Sequence, residues 1–302
     1  MENMLYLKRY INKKGARRMG AVKTVLCLQD LSCVGRCSLG VAVPALAAMG
    51  AQPCALPTAL LSSHTYGFGA PARTDETAFL KDALAHYAAQ GLAFNAVCRG
   101  YLNGAAQAAL VAQAFRQNPG ALKMADPVLG DNGRAYSYVT DELLQAMRAL
   151  CQKADVLTPN VTEAALLLGQ PPCGTAWDDA FLCARTAALQ ELYKHVGLFV
   201  VTGVRHADGR CGNVCAARGK APVFLTYEEV PGYYPGTGDL FAAVLLGGLL
   251  RAEPPEDAVA RAASFVGKAA ARTALNGREA RFGVEFEPLL HLLCAHRGRR
   301  VN

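Results

Sequence analysis

Short apolar runs alternate with longer amphipathic stretches along most of the chain. KTVLCLQ (23–29) reads as a buried strand, and a polar turn leads from it into an apolar helix over about 38–49. QPCALPTALL (52–61) is strand-like and SSHTYGFGAP is a loop. A helix at about 75–90 precedes the strand FNAVCRG (94–100), and one at 103–117 precedes LKMADPV (122–128). A helix at 140–150 precedes ADVLTPN (154–160), and one at 177–195 precedes GLFVVTG (197–203). This β-then-α repetition predicts an α/β fold, a mostly parallel central sheet with helices on both faces. The rhythm breaks at CGNVCAARGKAPVFLTYEEV (211–230), where two strand-like runs flank RGKAP and predict an antiparallel hairpin. Two long helices follow, at about 238–251 and 256–275. With no Ser/Gly-rich linker and no internal repeat, the pattern predicts a single domain over 21–296.

Composition narrows the classes. A chain of 302 residues that is 52% hydrophobic and 18% charged has the makings of a large core and is unlike a disordered chain. The net charge of +7 is unevenly spread: residues 1–20 carry +5 and the tail 297–302 carries +3, which leaves the body at −1. A nearly neutral body argues against a nucleic-acid partner, which needs basic residues gathered on a folded face. The leader 1–20, with Met19 near its end, has no signal-peptide core and is expected to be a disordered segment or an upstream start. No stretch reaches the roughly 18 apolar residues of a membrane span, so no membrane role is expected. The 11 cysteines are scattered, mostly among apolar neighbours, and fit a reduced cytoplasm. Two C-x3-C pairs, Cys33/Cys37 and Cys211/Cys215, have a spacing compatible with a metal, but nothing else supports that role.

In doubly wound sheets, ligands bind beyond the carboxyl ends of the strands. Every predicted strand turns polar at that edge: Gln29-Asp30, Ser62-Ser63-His64-Thr65-Tyr66, Arg99-Gly100-Tyr101, Asp126 through Asp131, Thr158-Pro159-Asn160 with Glu163 close by, and Thr202-Gly203. The stretch PGTGDLFAAVLL (235–246) adds a glycine-framed turn entering a helix. Helix amino ends bind anions, because their first amides lack intrahelical partners and the dipole is positive there. Asp239 could be only a cap, and Asn160 with Glu163 only a capping box. Capping explains an Asp, but it does not explain two glycines flanking Thr237. A dinucleotide-binding oxidoreductase is disfavoured, since no G-x-G-x-x-G follows the first strand.

DPVLGDNG, LTPNVTEAALL and PGTGDLFAAVLL, in that order, resemble the ribokinase-like superfamily, three-layer α/β/α small-molecule kinases. QDLSCVGRCS, LLSSHTYGF and RGYLNGAAQ resemble the pyridine-binding segments of its vitamin B6 (pyridoxal/pyridoxamine) kinase branch, and the resemblance covers about 23–275. It implies ATP-dependent phosphorylation of the hydroxymethyl group of pyridoxal, pyridoxamine or pyridoxine by a homodimer. It matches Asp239 to the catalytic base and Gly236, Thr237 and Gly238 to the anion hole. Asp126 and Glu163 match carboxylates that organise Mg2+, partly through water. Asp131, Thr158, Asn160, Glu163, Thr202 and Gly203 match the nucleotide side, and Asp30, Thr65 and Tyr101 the vitamer side. The helix dipole is expected to lower the pKa of Asp239, and the 211–230 hairpin to serve as a lid over the nucleotide. Asp30 stands where that branch carries Ser, which opens a preference for the cationic amine of pyridoxamine. Arg36 has no assigned role, and a need for a monovalent cation such as K+ stays open. The alternatives are a hydroxymethylpyrimidine kinase of thiamin synthesis, a sugar or nucleoside kinase, and a catalytically idle vitamer-binding regulatory protein.

Overall fold

The structure is a computed structural model that describes residues 22–171 and 176–294. The basic leader 1–20 and the tail 297–302 lie outside the described residues. In chain order the elements are β1 (Lys23–Ser32), α1 (Leu39–Ala48), β2 (Ala51–Leu61), β3 (Arg73–Asp75), α2 (Thr77–Ala89), β4 (Ala96–Arg99), α3 (Ala105–Gln117) and β5 (Leu122–Ala125). The two-residue strands β6 (Gly130–Asp131) and β7 (Arg134–Ala135) pair as a small hairpin. Then come α4 (Asp141–Cys151), β8 (Val156–Leu157), α5 (Val161–Leu167), β9 (Ala176–Trp177), α6 (Asp179–Leu192), β10 (Leu198–His206), β11 (Cys211–Ala217), β12 (Val223–Tyr227), α7 (Thr237–Leu250), α8 (Pro255–Leu275) and α9 (His291–Cys294).

The central sheet runs β12-β11-β10-β8-β5-β4-β1-β2-β3, with β9 beside β10. From β2 to β10 every pairing is parallel, and β3, β11 and β12 join antiparallel at the edges. Strand residues alternate between two cores, as a period of two requires. Leu26, Leu28, Val97, Ala125, Leu157 and Phe199 face α2 to α6. Val25, Cys27, Ala96, Met124, Val156 and Leu198 face α1, α7, α8 and α9. The result is a three-layer α/β/α sandwich. Pro53 and Pro57 are tolerated in β2 because β2 pairs only with β1 along that stretch.

Helix α7 is buried on nearly every side, which explains its lack of amphipathic character. Its two glycines seat neighbours: a Cβ on Gly247 would stand 2.3 Å from the Met49 sulfur, and one on Gly248 would stand 2.9 Å from the Ala258 Cβ. Past the SSHTYGFGAP loop, residues Arg73–Asp75 form a short strand, β3, that pairs back onto β2 and has no counterpart in the apolar pattern. The 211–230 hairpin is present, but it is built into the sheet and is no free lid, since β11 is buried along its whole length between β10 and β12.

Candidate active site

After β1 the chain places β2 on one side, and the later strands β4, β5, β8 and β10 extend on the other. Such a switch point leaves a crevice at the carboxyl ends of the strands. Asp30, Arg99 and Asp126, at or just past the ends of β1, β4 and β5, converge there.

Helix α7 aims its amino end at this crevice. Gly236 caps it in the left-handed conformation (φ 78°), and a Cβ there would stand 1.9 Å from the Arg36 carbonyl oxygen. Only glycine fits that corner. Gly238 differs, with nothing within 4 Å of the place a Cβ would take. Thr237 ties the turn by donating its hydroxyl to the Tyr234 carbonyl at 3.0 Å. The amides of the first turn have no intrahelical acceptor, which leaves them for a ligand.

Asp239 stands in that turn, half-buried, with Oδ2 accepting the Ser38 N–H at 2.9 Å. Its pKa is raised to about 7, first by desolvation and then by the nearby Asp126 and Asp30 carboxylates, with the Ser38 bond opposing. The expected lowering by the helix dipole is therefore overturned: burial and like charge outweigh it. Asp30 is 6% exposed, and its oxygens accept the hydroxyls of Ser38 (2.5 Å) and Ser32 (3.0 Å). Burial raises its pKa too. Ser38 thus joins the two carboxylates, one through its N–H and the other through its hydroxyl. It holds φ 47° and ψ −129°, a strained conformation for a non-glycine residue, and its hydroxyl makes no cap for α1.

Asp126 is pushed well above the usual carboxylate range by desolvation and by Glu163. Glu163 accepts the backbone N–H groups of Leu129 and Asn160, each at 2.9 Å, and still rises to about 7, chiefly through desolvation. The capping box between Asn160 and Glu163 is present, so the local and the functional readings of that pair coexist. Val128, in the loop beyond Asp126, is β-branched yet holds φ 46°, a second strained residue at the crevice.

On the expected nucleotide side, Asn160 donates its side-chain N–H to the Gly130 carbonyl, and the Thr202 N–H reaches the Pro159 carbonyl. The Gly203 N–H reaches the Asn213 side chain at 3.3 Å. The Thr158 hydroxyl is buried without a partner, a polar group suited to a ligand. Asp131 lies close enough to raise the pKa values of Glu163 and Tyr136.

On the expected vitamer side, the Tyr101 ring packs edge-on to Tyr138 at 5.1 Å, and Tyr138 stacks on Tyr136 at 5.7 Å. Across the opening, Tyr66 and Tyr233 meet with ring centroids 4.6 Å apart. Thr65 is exposed on the loop beside them. His64 holds that loop: its Nδ1 accepts the Tyr66 N–H, so Nε2 carries the proton and donates to the Arg281 carbonyl at 2.6 Å. Arg36 now has a role, pairing with Glu287 at 2.6 Å and pinning the 33–38 turn to the C-terminal segment. Sequence reasoning misses Ser38, Tyr136, Tyr138 and Tyr233 as site residues and takes Arg99 only as part of a polar strand end. The tyrosine-rich spelling of 136–138 and 233–234 is the signal that could have found the rings.

Among the described residues, no group of three or more His, Cys, Asp or Glu side chains forms a metal cage, and the Cys33, Cys37, Cys211 and Cys215 thiols are free. Magnesium needs no such cage, because it is held by one or two carboxylates together with substrate phosphates. Asp126, half-buried, and Glu163, buried, fit that role as two acids whose ionisation is opposed until a cation arrives. No helix among the described residues is long and apolar enough to cross a membrane.

Comparison with known proteins converges on one group. A family described as phosphomethylpyrimidine kinase matches residues 43–283. The pyridoxine/pyridoxal/pyridoxamine kinase of Bordetella avium is 33% identical over 262 residues, 83% of this chain and 86% of that protein. The crystal structure of pyridoxal kinase from Lactobacillus plantarum superposes with a TM-score of 0.84 at 37% identity, covering 90% of this chain and 97% of that one. A putative phosphomethylpyrimidine kinase from Bacteroides thetaiotaomicron, crystallised with pyridoxal, gives a TM-score of 0.84 at 34% identity, covering 91% and 96%.

Proposed function

The chain belongs to the phosphomethylpyrimidine kinase family, in its ribokinase-like pyridoxal kinase branch, and from that premise we propose that it transfers the γ-phosphoryl group of ATP to the hydroxymethyl oxygen of pyridoxal, pyridoxamine and pyridoxine. The observation that carries the reading is Asp239: a carboxylate with its pKa at about 7, held by the Ser38 N–H on the first turn of α7, in the same crevice as Asp30.

Phosphoryl transfer asks for positioning and charge neutralisation more than for covalent chemistry. The vitamer ring lies against the Tyr101–Tyr138 side with Asp30 at its polar edge, and its hydroxymethyl group points at Asp239. Asp239 takes the hydroxyl proton as the oxygen attacks phosphorus, a role worth typically about 10²–10⁴-fold. The raised pKa suits the task, since a base poised near the working pH is both ionised and basic enough. The free amides of Gly236, Thr237 and Gly238 meet the charge developing on the transferred group. Asp126, with Glu163 behind it, would hold magnesium, which supplies charge neutralisation of the phosphates when bound. Asp131, Thr158, Asn160, Thr202 and Gly203 receive the rest of the nucleotide.

A pyrimidine bearing a hydroxymethyl group would also fit an aromatic-walled crevice, and the family description keeps that substrate in view. The test is ATP consumption with pyridoxal, pyridoxamine, pyridoxine, hydroxymethylpyrimidine and ribose in parallel. Turnover led by a B6 vitamer supports the reading, and turnover led by hydroxymethylpyrimidine or ribose replaces it.

A further inference from the structure

Ser38 stands just before α1, 6% exposed, with each of its polar groups committed to a different element. Its carbonyl accepts the Val41 and Ala42 N–H groups (3.1 and 2.9 Å) and so starts α1. Its hydroxyl makes no capping bond and donates to Asp30 Oδ1 at 2.5 Å, while its N–H donates to Asp239 Oδ2 at 2.9 Å. Among the described residues that N–H is the one hydrogen-bond donor on the Asp239 carboxylate. The backbone that makes both contacts has φ 47° and ψ −129°. Those angles are close to the roughly 60° and −120° that glycine supplies at the first central position of a type II′ turn. A side chain is kept in such a conformation only where its surroundings over-determine it. Capping does not explain a serine here, and glycine would suit the backbone better. What serine adds is the hydroxyl on Asp30. The turn is also held from outside: Arg36 pairs with Glu287, and a Cβ on Gly236 would run into the Arg36 carbonyl and the Cys37 Cα.

We propose that Ser38 is a positioning residue for phosphoryl transfer: with its hydroxyl anchored on Asp30, it holds its own N–H on Asp239, so that one residue sets both the carboxylate facing the vitamer ring and the carboxylate taking the proton. Its meaning for turnover rests on the kinase reading above, but the link itself does not. The N–H occupies Oδ2 of Asp239 and leaves Oδ1 for the proton. A donor on a carboxylate also favours the ionised form, and so opposes the burial and like charge that raise Asp239 to about 7. Without the hydroxyl, nothing holds Ser38 at φ 47°, the turn relaxes, and the N–H leaves Asp239. The base is then protonated at neutral pH. The other titratable groups facing the link are Asp126, Cys37 and His64, with the phenols of Tyr101 and Tyr138 beyond Asp30. Burial pushes the Cys37 thiol up to about 12 and raises both phenols, so these three gain no charge between about pH 5 and 9. Asp126, beside Glu163 and Arg99, and His64 keep their surroundings in a Ser38 variant. Their titrations are shared with wild type and cancel in the comparison.

Ser38→Ala removes the hydroxyl alone. At about pH 7 it should lower kcat with pyridoxal by about tenfold or more, the worth of a hydrogen bond to a charged group, while KM for ATP stays within about twofold. At about pH 9, where even a more basic Asp239 is ionised, the deficit should shrink to within about threefold. Unchanged kcat, a loss confined to KM, or an equal deficit at both pH values overturns the positioning role, because a merely structural disturbance does not follow the titration of the base. If Ser38→Ala does not fold, Ser38→Gly takes its place, since glycine reaches φ 47° without strain and lacks the hydroxyl. It should show the same loss, and wild-type kcat there is equally fatal. A second readout needs no turnover: carbon-13 NMR of the Asp239 carboxyl in the ligand-free full chain, its signal identified by its loss in Asp239→Asn. The carboxyl should titrate near pH 7 in the wild type and at higher pH in Ser38→Ala, and an unmoved midpoint overturns the link. A wild-type protein inactive on every vitamer would remove the kinase reading, yet leave that difference in titration in place.

Discussion

Asp239→Asn should make the protein more stable while making it inactive. Asp239 is raised from the ordinary 3.8 to about 7 by desolvation, Asp126 and Asp30. The unfolded chain loses that proton near pH 4, whereas the folded chain keeps it until about pH 7. Between those values the native state binds more protons, so this group lowers stability progressively as pH rises from about 4 to 7, and fully above 7. A shift of about three units corresponds to about 4 kcal/mol as an upper limit, at about 1.4 kcal/mol per unit. Partial exposure and relaxation around the carboxylate reduce the expected gain in Asp239→Asn to about 1–3 kcal/mol at pH 8. The amide oxygen can still accept the Ser38 N–H, so no bond need be lost. At about 2–4 °C per kcal/mol, the variant should melt about 3–8 °C above wild type at pH 8, without nucleotide, vitamer or metal. At pH 4.5 the difference should nearly vanish. A gain of equal size at both pH values, or a variant less stable than wild type at pH 8, would refute the placement of Asp239 among like charges.

Other expectations follow from the same crevice. The kcat/KM profile should fall as pH drops below about 7, because the base must be ionised; an acid limb near pH 4 would contradict the raised pKa. Gly236→Ala, which sets a Cβ 1.9 Å from the Arg36 carbonyl at φ 78°, should cost about 2 kcal/mol or more in urea unfolding and abolish turnover. Gly238→Ala meets nothing within 4 Å and should unfold like wild type, but it should raise KM for ATP or lower kcat; full activity would move the anion hole elsewhere. Asp30→Ser should reduce the pyridoxamine-over-pyridoxal ratio of kcat/KM by about tenfold or more, the worth of a charge-assisted bond. An unchanged ratio would mean that the carboxylate serves only Ser32 and Ser38.

How far the sequence could be read depended on the distance over which each feature is determined. The β-then-α alternation is local, and it set out the parallel strands and the two long C-terminal helices close to their observed places. Asp239 and Gly236 were legible because a helix start with a glycine turn is also local. The sign of the Asp239 pKa was not, because Asp126 and Asp30 lie 113 and 209 residues away in sequence. The dipole, the one influence visible in the sequence, was outweighed. Ser38 carries no local signal of a site, and only the fold turns its hydroxyl to Asp30 and its N–H to Asp239. Arg99 stands in the sequence among the polar residues of a ligand-facing strand end, but β4 buries it against the carbonyls that follow β5. The hairpin at 211–230 was found but misjudged, because no local signal says that a strand pair will be annexed by the sheet.

The central claim is that Asp239 takes the proton from a B6 vitamer's hydroxymethyl group. Phosphorus NMR of wild type and Asp239→Asn, each with ATP, magnesium and pyridoxal, tests it most directly, alongside a separate measurement of ATP binding. The account predicts a phosphate ester of pyridoxal from the wild type and a rate lower by about 10²–10⁴-fold in the variant, with ATP affinity retained. Wild-type turnover in Asp239→Asn would contradict it.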